Sequence, residues 1–136
     1  MKITKMSRRT RTILISVSAP LLLIIGFAIV IFVYLNFHQP PVVDMTATGF
    51  APQSVEISEG ETIRFVNQSS TTQVLCVGTN QQCNTSAADP RAFVSPGIRF
   101  APGQSKVILF DTPDTYTITS TVTPKMNLTI TVDAAV

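Results

Sequence analysis

From Ile13 to Phe37 the chain runs ILISVSAPLLLIIGFAIVIFVYLNF, 25 residues without a single charge. A bilayer core of ~30 Å takes about 20 helical residues at roughly 1.5 Å each, so this run predicts a transmembrane helix with some tilt or interfacial overhang. Pro20 and Gly26 interrupt it, but membrane helices tolerate both better than soluble helices do. The preceding MKITKMSRRTRT carries Lys2, Lys5, Arg8, Arg9 and Arg11 and no acid, and the first charge after Phe37 is Asp44. Positive residues favour the cytoplasmic side, so the N-terminus is expected inside and everything beyond the span outside the cytoplasm. Tyr34 and His38 stand where an interfacial aromatic belt belongs. A cleaved secretory signal competes with this assignment, since it also opens with basic residues before an apolar run. Its apolar core is usually ~7–15 residues and ends at a small-x-small site, which VYLNFHQPP does not supply. The expectation is a retained single-pass anchor in the cell membrane.

The division that follows is a basic cytoplasmic tip at 1–12, the span at 13–37, a linker at 38–44 and one domain at 45–136. QPPVVD contributes two prolines, which stiffen a linker and stop a helix. Residues 39–136 hold Arg64, Arg91, Arg99, Lys106 and Lys125 against eight acids, a net of −3, so the overall +2 belongs to the tip. No basic patch favours nucleic acid as a partner. About a hundred residues make one domain with a single modest core.

Past the linker the pattern becomes short alternating runs rich in Val, Ile, Thr and Phe, divided by Pro, Gly, Asn and Asp. That is the pattern of an all-β sandwich. QSVEIS sets Val55 and Ile57 against Ser54, Glu56 and Ser58. TIRFVN sends Ile63 and Phe65 to one face and Thr62, Arg64 and Val66 to the other. QVLCV is a third run, GTNQQCNTSAADPRAF reads as a long polar loop, and SKVILFD resumes a strand. TYTITSTV and MNLTITV then form two strands across a turn at Thr123 to Lys125. In the first of these Tyr116, Ile118, Ser120 and Val122 share the core face, while Thr115, Thr117, Thr119 and Thr121 share the other.

Three stretches together are similar to the cupredoxins, the plastocyanin and amicyanin group of small copper-binding β-sandwiches. GFAPQSVEISEGETIRFVN resembles the family's opening, FAPGQSKVILFDTPDTYTIT its later strand and turn, and TYTITSTVTPKMNLTITV its ending, so the resemblance covers about Met45 to Val132. It implies a cupredoxin-like Greek-key β-sandwich, preceded here by a single transmembrane helix. The family binds copper through an upstream His and then Cys, His and Met, because two imidazoles, a thiolate and a weak thioether suit both copper oxidation states. In the shorter form of the family's final loop the last three fall at i, i+3 and i+6, which here are Ser120, Thr123 and Met126. The upstream His, about six residues past the strand-ending Asn67, corresponds to Gln73. Only the methionine remains. The resemblance therefore implies the fold without its type 1 copper centre, no expected metal or other cofactor, and former ligand positions at Gln73, Ser120, Thr123 and Met126.

The other chemistry-bearing residues have plainer roles. Met126 suits packing better than ligation, given its adaptable side chain. Ser120 and Thr123 as nucleophiles would need a base, and the domain holds no interior His, so no enzyme is expected. Tyr116 fits the core or a corner of the sandwich, and His38 beside Pro40 and Pro41 fits an interface. Cys76 and Cys83, separated by VGTNQQ, are expected to oxidise outside the cytoplasm, where closing so short a loop is worth ~2–3 kcal/mol in the chain-entropy model. A Cu(I)-handling role for this pair remains the alternative, although its spacing is not that of a Cys-x-x-Cys motif. Asn67, Asn84 and Asn127 each begin an N-glycosylation sequon.

Two functions from different classes follow: a membrane-anchored binding or assembly module without a redox metal, its protein partner unspecified, or a copper-binding electron carrier or copper handler using Cys76, Cys83 and Met126. The topology has a direct test. Protease added to intact cells is expected to digest the C-terminal domain and spare the N-terminal tip; the reverse pattern would overturn the orientation.

Overall fold

The computed structural model describes residues 8–37, 39–84, 86, 89–93 and 96–136, with helix side chains described from Ala19 to Leu35. The chain divides into two compact units, Met1–Gln39 and Pro40–Val136. The basic residues Lys2 and Lys5 and the interfacial residue His38 lie outside the described residues.

The first unit contains one helix, α1 (Arg8–Phe37). It begins five residues before the uncharged run, because the basic flank also favours helix. Its aliphatic and aromatic side chains are exposed all along the described stretch, Leu23 to 75% and Phe32 to 70%. Among the described residues no helix is long and apolar enough to cross a membrane.

The second unit is a two-sheet β-sandwich. One sheet runs β2 (Phe50–Ala51), β1 (Val42–Met45), β4 (Glu61–Asn67), β8 (Ser105–Phe110). The other runs β3 (Ser54–Ser58), β10 (Asn127–Asp133), β9 (Asp114–Ser120), β5 (Gln73–Thr79), with β6 (Gln82–Cys83) and β7 (Ile98–Phe100) both pairing β5. Two pairings are parallel, β1 with β4 and β3 with β10.

Period-two alternation explains β3, β4, β8 and β10, which turn alternate residues into the core. Val55 and Ile57 of β3, Ile63 and Phe65 of β4, Ile108 and Phe110 of β8, and Leu128, Ile130 and Val132 of β10 all enter the core. An aromatic string spans the gap between the sheets. Phe65 meets Phe93 edge-on at 5.8 Å, Phe93 meets Phe110 at 6.2 Å, and Phe110 meets Tyr116 at 5.7 Å. Such offset contacts add to the area term that dominates core stability.

The structure departs from the sequence expectations at four places. Residues read as linker, 38–44, include most of β1, whose Val43 is fully buried because β4 offers it a parallel partner. The polar run Gly78 to Phe93 is not one loop: β5 extends to Thr79, β6 returns, and a 3-10 turn at Arg91–Phe93 drives Phe93 into the core. Val122 is 48% exposed, since β9 ends at Ser120 and the alternation ends with it. Thr119 is buried instead of facing solvent, because its hydroxyl accepts the Gln81 amide and donates to the Met126 carbonyl.

Cys76 and Cys83 form a disulfide across the β5–β6 hairpin, with Cα atoms 5.6 Å apart. The strands approach closely there, so a Cβ at Gly78 would collide with the Gln82 carbonyl.

Tyr116 is both core and corner. It is 2% exposed and its hydroxyl donates to the Thr112 carbonyl at 2.8 Å. Burial pushes its phenol above the ordinary value of 10.0, and the carboxylates of Asp114, Asp89 and Asp111 push it further. The folded state therefore holds this proton more tightly than the unfolded chain does. The stability it contributes is intact below the unfolded pKa and is lost as pH rises from there through the folded value. Urea unfolding across pH 8–11 is expected to show a loss of stability at the alkaline end that Tyr116→Phe diminishes, the variant itself costing about 1 kcal/mol at neutral pH for the lost hydrogen bond.

Candidate functional site

Ser120 reaches its place through strand parity. Tyr116, Ile118 and Ser120 occupy the inward positions of β9, and Leu75 of β5 pairs with Ser120. The Thr121 amide donates to the Val74 carbonyl at 2.9 Å, which sets the first residue of β5, Gln73, beside the last residue of β9. The Ser120 hydroxyl then donates to Gln73 Oε1 at 2.6 Å, with both residues fully buried.

The same hydroxyl organises the turn that follows. Ser120 Oγ accepts the backbone amides of Val122 and Thr123, each at 3.2 Å, the local serine-to-backbone bonding that favours a turn over a continuing strand. Lys125 completes the reversal in a left-handed conformation, φ 62°. Thr123 thereby swings its hydroxyl onto the Gln73 carboxamide, 2.9 Å from Nε2 and 3.1 Å from Oε1.

On the other side, Gln73 Nε2 lies 3.2 Å from Thr71 Oγ1 and 3.3 Å from Ser69 Oγ. Ser69 Oγ donates to Asn67 Oδ1 at 2.6 Å, and the Ser69 amide donates to the same oxygen at 3.0 Å. Asn67 Nδ2 donates to the carbonyls of Thr71 and Phe100 at 2.8 and 3.1 Å. Asn67, Ser69, Gln73 and Ser120 are all buried, and among the described residues no buried side-chain nitrogen or oxygen lacks a partner.

Gln73, Ser120 and Thr123 thus meet in one place. Met126 is fully buried within the hydrophobic cluster, and its backbone carbonyl accepts the Ser120 amide at 3.4 Å. Asn67, Ser69 and Thr71 complete the network and were not among the site residues expected from sequence. Asn67 is a sequon asparagine with both ends of its amide bonded inside the fold, whereas Asn84 and Asn127 are exposed.

The donor chemistry does not fit copper. Two hydroxyls and an amide offer neither the thiolate nor the imidazoles that a copper–thiolate centre requires, and each is already committed to hydrogen bonds. Among the described residues no group of three or more His, Cys, Asp or Glu could hold a metal ion. Cys76 and Cys83, joined to each other, present no thiolate.

Solved structures share this architecture. Amicyanin from Paracoccus versutus superposes with a TM-score of 0.54 at 19% identity, over 70% of this chain and 82% of its own. A purple cupredoxin from Nitrosopumilus maritimus gives 0.54 at 15% identity, over 68% and 99%. The domain has a cupredoxin-like fold. The Cu-containing nitrite reductase of Thermus scotoductus also matches, with a TM-score of 0.55 at 24% identity over 72% of this chain, but only 23% of the reductase is involved. No protein-family model matches the chain, and no curated protein sequence matches it.

A cupredoxin-like sandwich whose Gln73 amide joins three segments should depend on that amide. Gln73→Leu removes the acceptor of Ser120 and the partner of Thr123, leaving buried hydroxyls with unmet hydrogen bonds. The expected loss is about 2–3 kcal/mol in chemical denaturation; an unchanged midpoint would show the network to be dispensable.

Proposed function

We propose that the chain is a membrane-anchored, extracytoplasmic cupredoxin-like module without a type 1 copper site, acting as a binding or assembly domain. The observation that carries this is the buried Gln73 carboxamide bonded to Ser120 and Thr123. The sequence resemblance puts these residues at the family's copper-ligand positions, and oxygen and amide groups there have no use for an electron.

Anchoring is supported by the uncharged run 13–37 within the 30-residue helix α1 and by its basic flank. A disulfide in the domain accords with an oxidising compartment. The alternative copper-handling role loses its thiolates to that disulfide. A catalytic Ser120 is disfavoured because its hydroxyl already donates to an amide oxygen and faces no base. Copper is accordingly left out of the proposed activity, and the partner is a protein engaged through the domain surface.

The test restores the missing donors. Gln73→His, Ser120→Cys and Thr123→His together place two imidazoles and a thiolate at positions that already touch. The parent is expected to stay colourless with Cu(II), and the triple variant to gain the intense visible band of a copper–thiolate bond. A parent that binds Cu(II) tightly and turns blue would overturn the metal-free assignment.

A further inference from the structure

The four edges of the two sheets are not treated alike. β2 holds two residues, the edge beside β5 is divided between β6 with two and β7 with three, and β3 carries the exposed Glu56 at its centre. Short or charged edges of this kind resist pairing with another chain. The exception is β8, six residues long and last in its sheet.

Its outward-facing backbone can be identified. The Phe110 carbonyl accepts the Gly60 amide and the Gln104 carbonyl accepts the Asn67 amide, so the even-numbered residues of this stretch aim their polar groups at β4. Antiparallel alternation then turns the N–H and C=O groups of Val107 and Leu109 to the free edge. Neither residue has a partner there among the described residues. Their side chains are also open, 51% and 50% exposed, and uncharged. Lys106, the charged side chain of β8 itself, is turned away, its amine bonded to the Arg99 carbonyl at 2.8 Å and lying over the Phe100 ring.

A cavity of about 410 Å³ lies along this edge, between Val107–Leu109 on one side and Asp89–Ala92 with Asp111 and Thr112 on the other. Two carboxylates, Asp89 and Asp111, face a single cation, Arg91. The domain as a whole carries a net charge of −3 over residues 39–136.

We propose that the β8 edge is a docking groove for an extended peptide of another protein, alternating apolar residues with a basic one, which adds to the sheet as a further strand. Val107 and Leu109 supply two amides and two carbonyls to its backbone, and their side chains receive its apolar face. Asp89 and Asp111 receive its basic residue. Strand addition gives affinity through main-chain bonds and selectivity through flanking side chains. A second copy of this chain suits the groove less well: two acidic domains repel, and each would bring its own Asp89–Ala92 wall to the same edge. This assignment rests on the binding role proposed above and names its surface.

The experiment uses the full chain in mild detergent and two synthetic probes, Thr-Val-Lys-Val-Thr-Val and the same peptide with Glu for Lys, both capped at their ends. Amide hydrogen exchange is expected to slow at Val107 and Leu109 with the Lys peptide, and the Glu peptide to bind at least about tenfold more weakly, with Asp111→Asn narrowing that gap. Val107→Pro deletes an edge amide that β4 does not use, a position where a strand tolerates proline, and is expected to weaken binding by about tenfold or more while β4–β8 protection persists. Leu109→Ser, which removes only an exposed apolar side chain, is the second variant and is expected to weaken the Lys peptide likewise. Unchanged exchange at Val107 and Leu109 with both peptides, or equal binding of the two, would overturn the proposal. So would a peptide-independent dimer abolished by Val107→Pro, which would make a second copy the occupant. The Cu(II) spectrum of the same sample reports separately on the metal-free site, so failure of the groove and failure of that reading are told apart.

Discussion

A carboxamide sealed from water must find its hydrogen bonds inside the protein or cost the fold the full penalty of its desolvation. Gln73 is in that position, and the end of the sandwich is arranged around it. Its oxygen takes the Ser120 hydroxyl, its nitrogen faces Thr71 and Ser69, and Thr123 lies against both. One side chain thereby ties the segment after β4, the start of β5 and the turn after β9. A metal ion would tie similar segments through coordination bonds. Here hydrogen bonds from Gln73 to Ser69, Ser120 and Thr123 hold the three segments together. The network is complete in the sense that matters for a buried polar cluster: a partly satisfied one would be worse than an apolar core.

Much of this was legible in the sequence because strand parity is a local property. The inward set of β9 follows from alternation alone, and it correctly turned Ser120 toward the core. Gln73 came from the resemblance to the cupredoxins and not from local pattern, and the structure brings it against both Ser120 and Thr123. What escaped was whatever depends on a distant partner. Val42–Met45 forms a strand because β4 lies beside it, as the Arg64 amide donating to the Pro41 carbonyl shows; two adjacent prolines hide that from any local pattern. Phe93 is a lone aromatic in a polar run and becomes core only where Phe65 and Phe110 receive it. Val122 breaks the alternation because Ser120 Oγ captures the next amides and starts the turn a residue or two early. Asn67 reaches a carbonyl 33 residues away, at Phe100, a pairing no sequence window contains.

The described parts of the stretch between β5 and β7 are held by contacts to the rest of the domain. Its first part is held by the Cys76–Cys83 bridge and by the Asn84 amide donating to the Val77 carbonyl. Its far part is held by Phe93, fully buried, whose amide closes a turn on Pro90. At Gly97 the backbone runs so close to Leu75 that a Cβ would strike the Leu75 carbonyl, and φ is +100°, a conformation glycine adopts at least cost. Residues 89–92 sit between these fixed points, so the acidic wall beside β8 is set by covalent and packing constraints laid down elsewhere in the domain. Order imposed beforehand lowers the entropy that a partner must overcome on docking. The disulfide and the aromatic string, which stabilise the sandwich, therefore also hold the segments that flank the β8 edge.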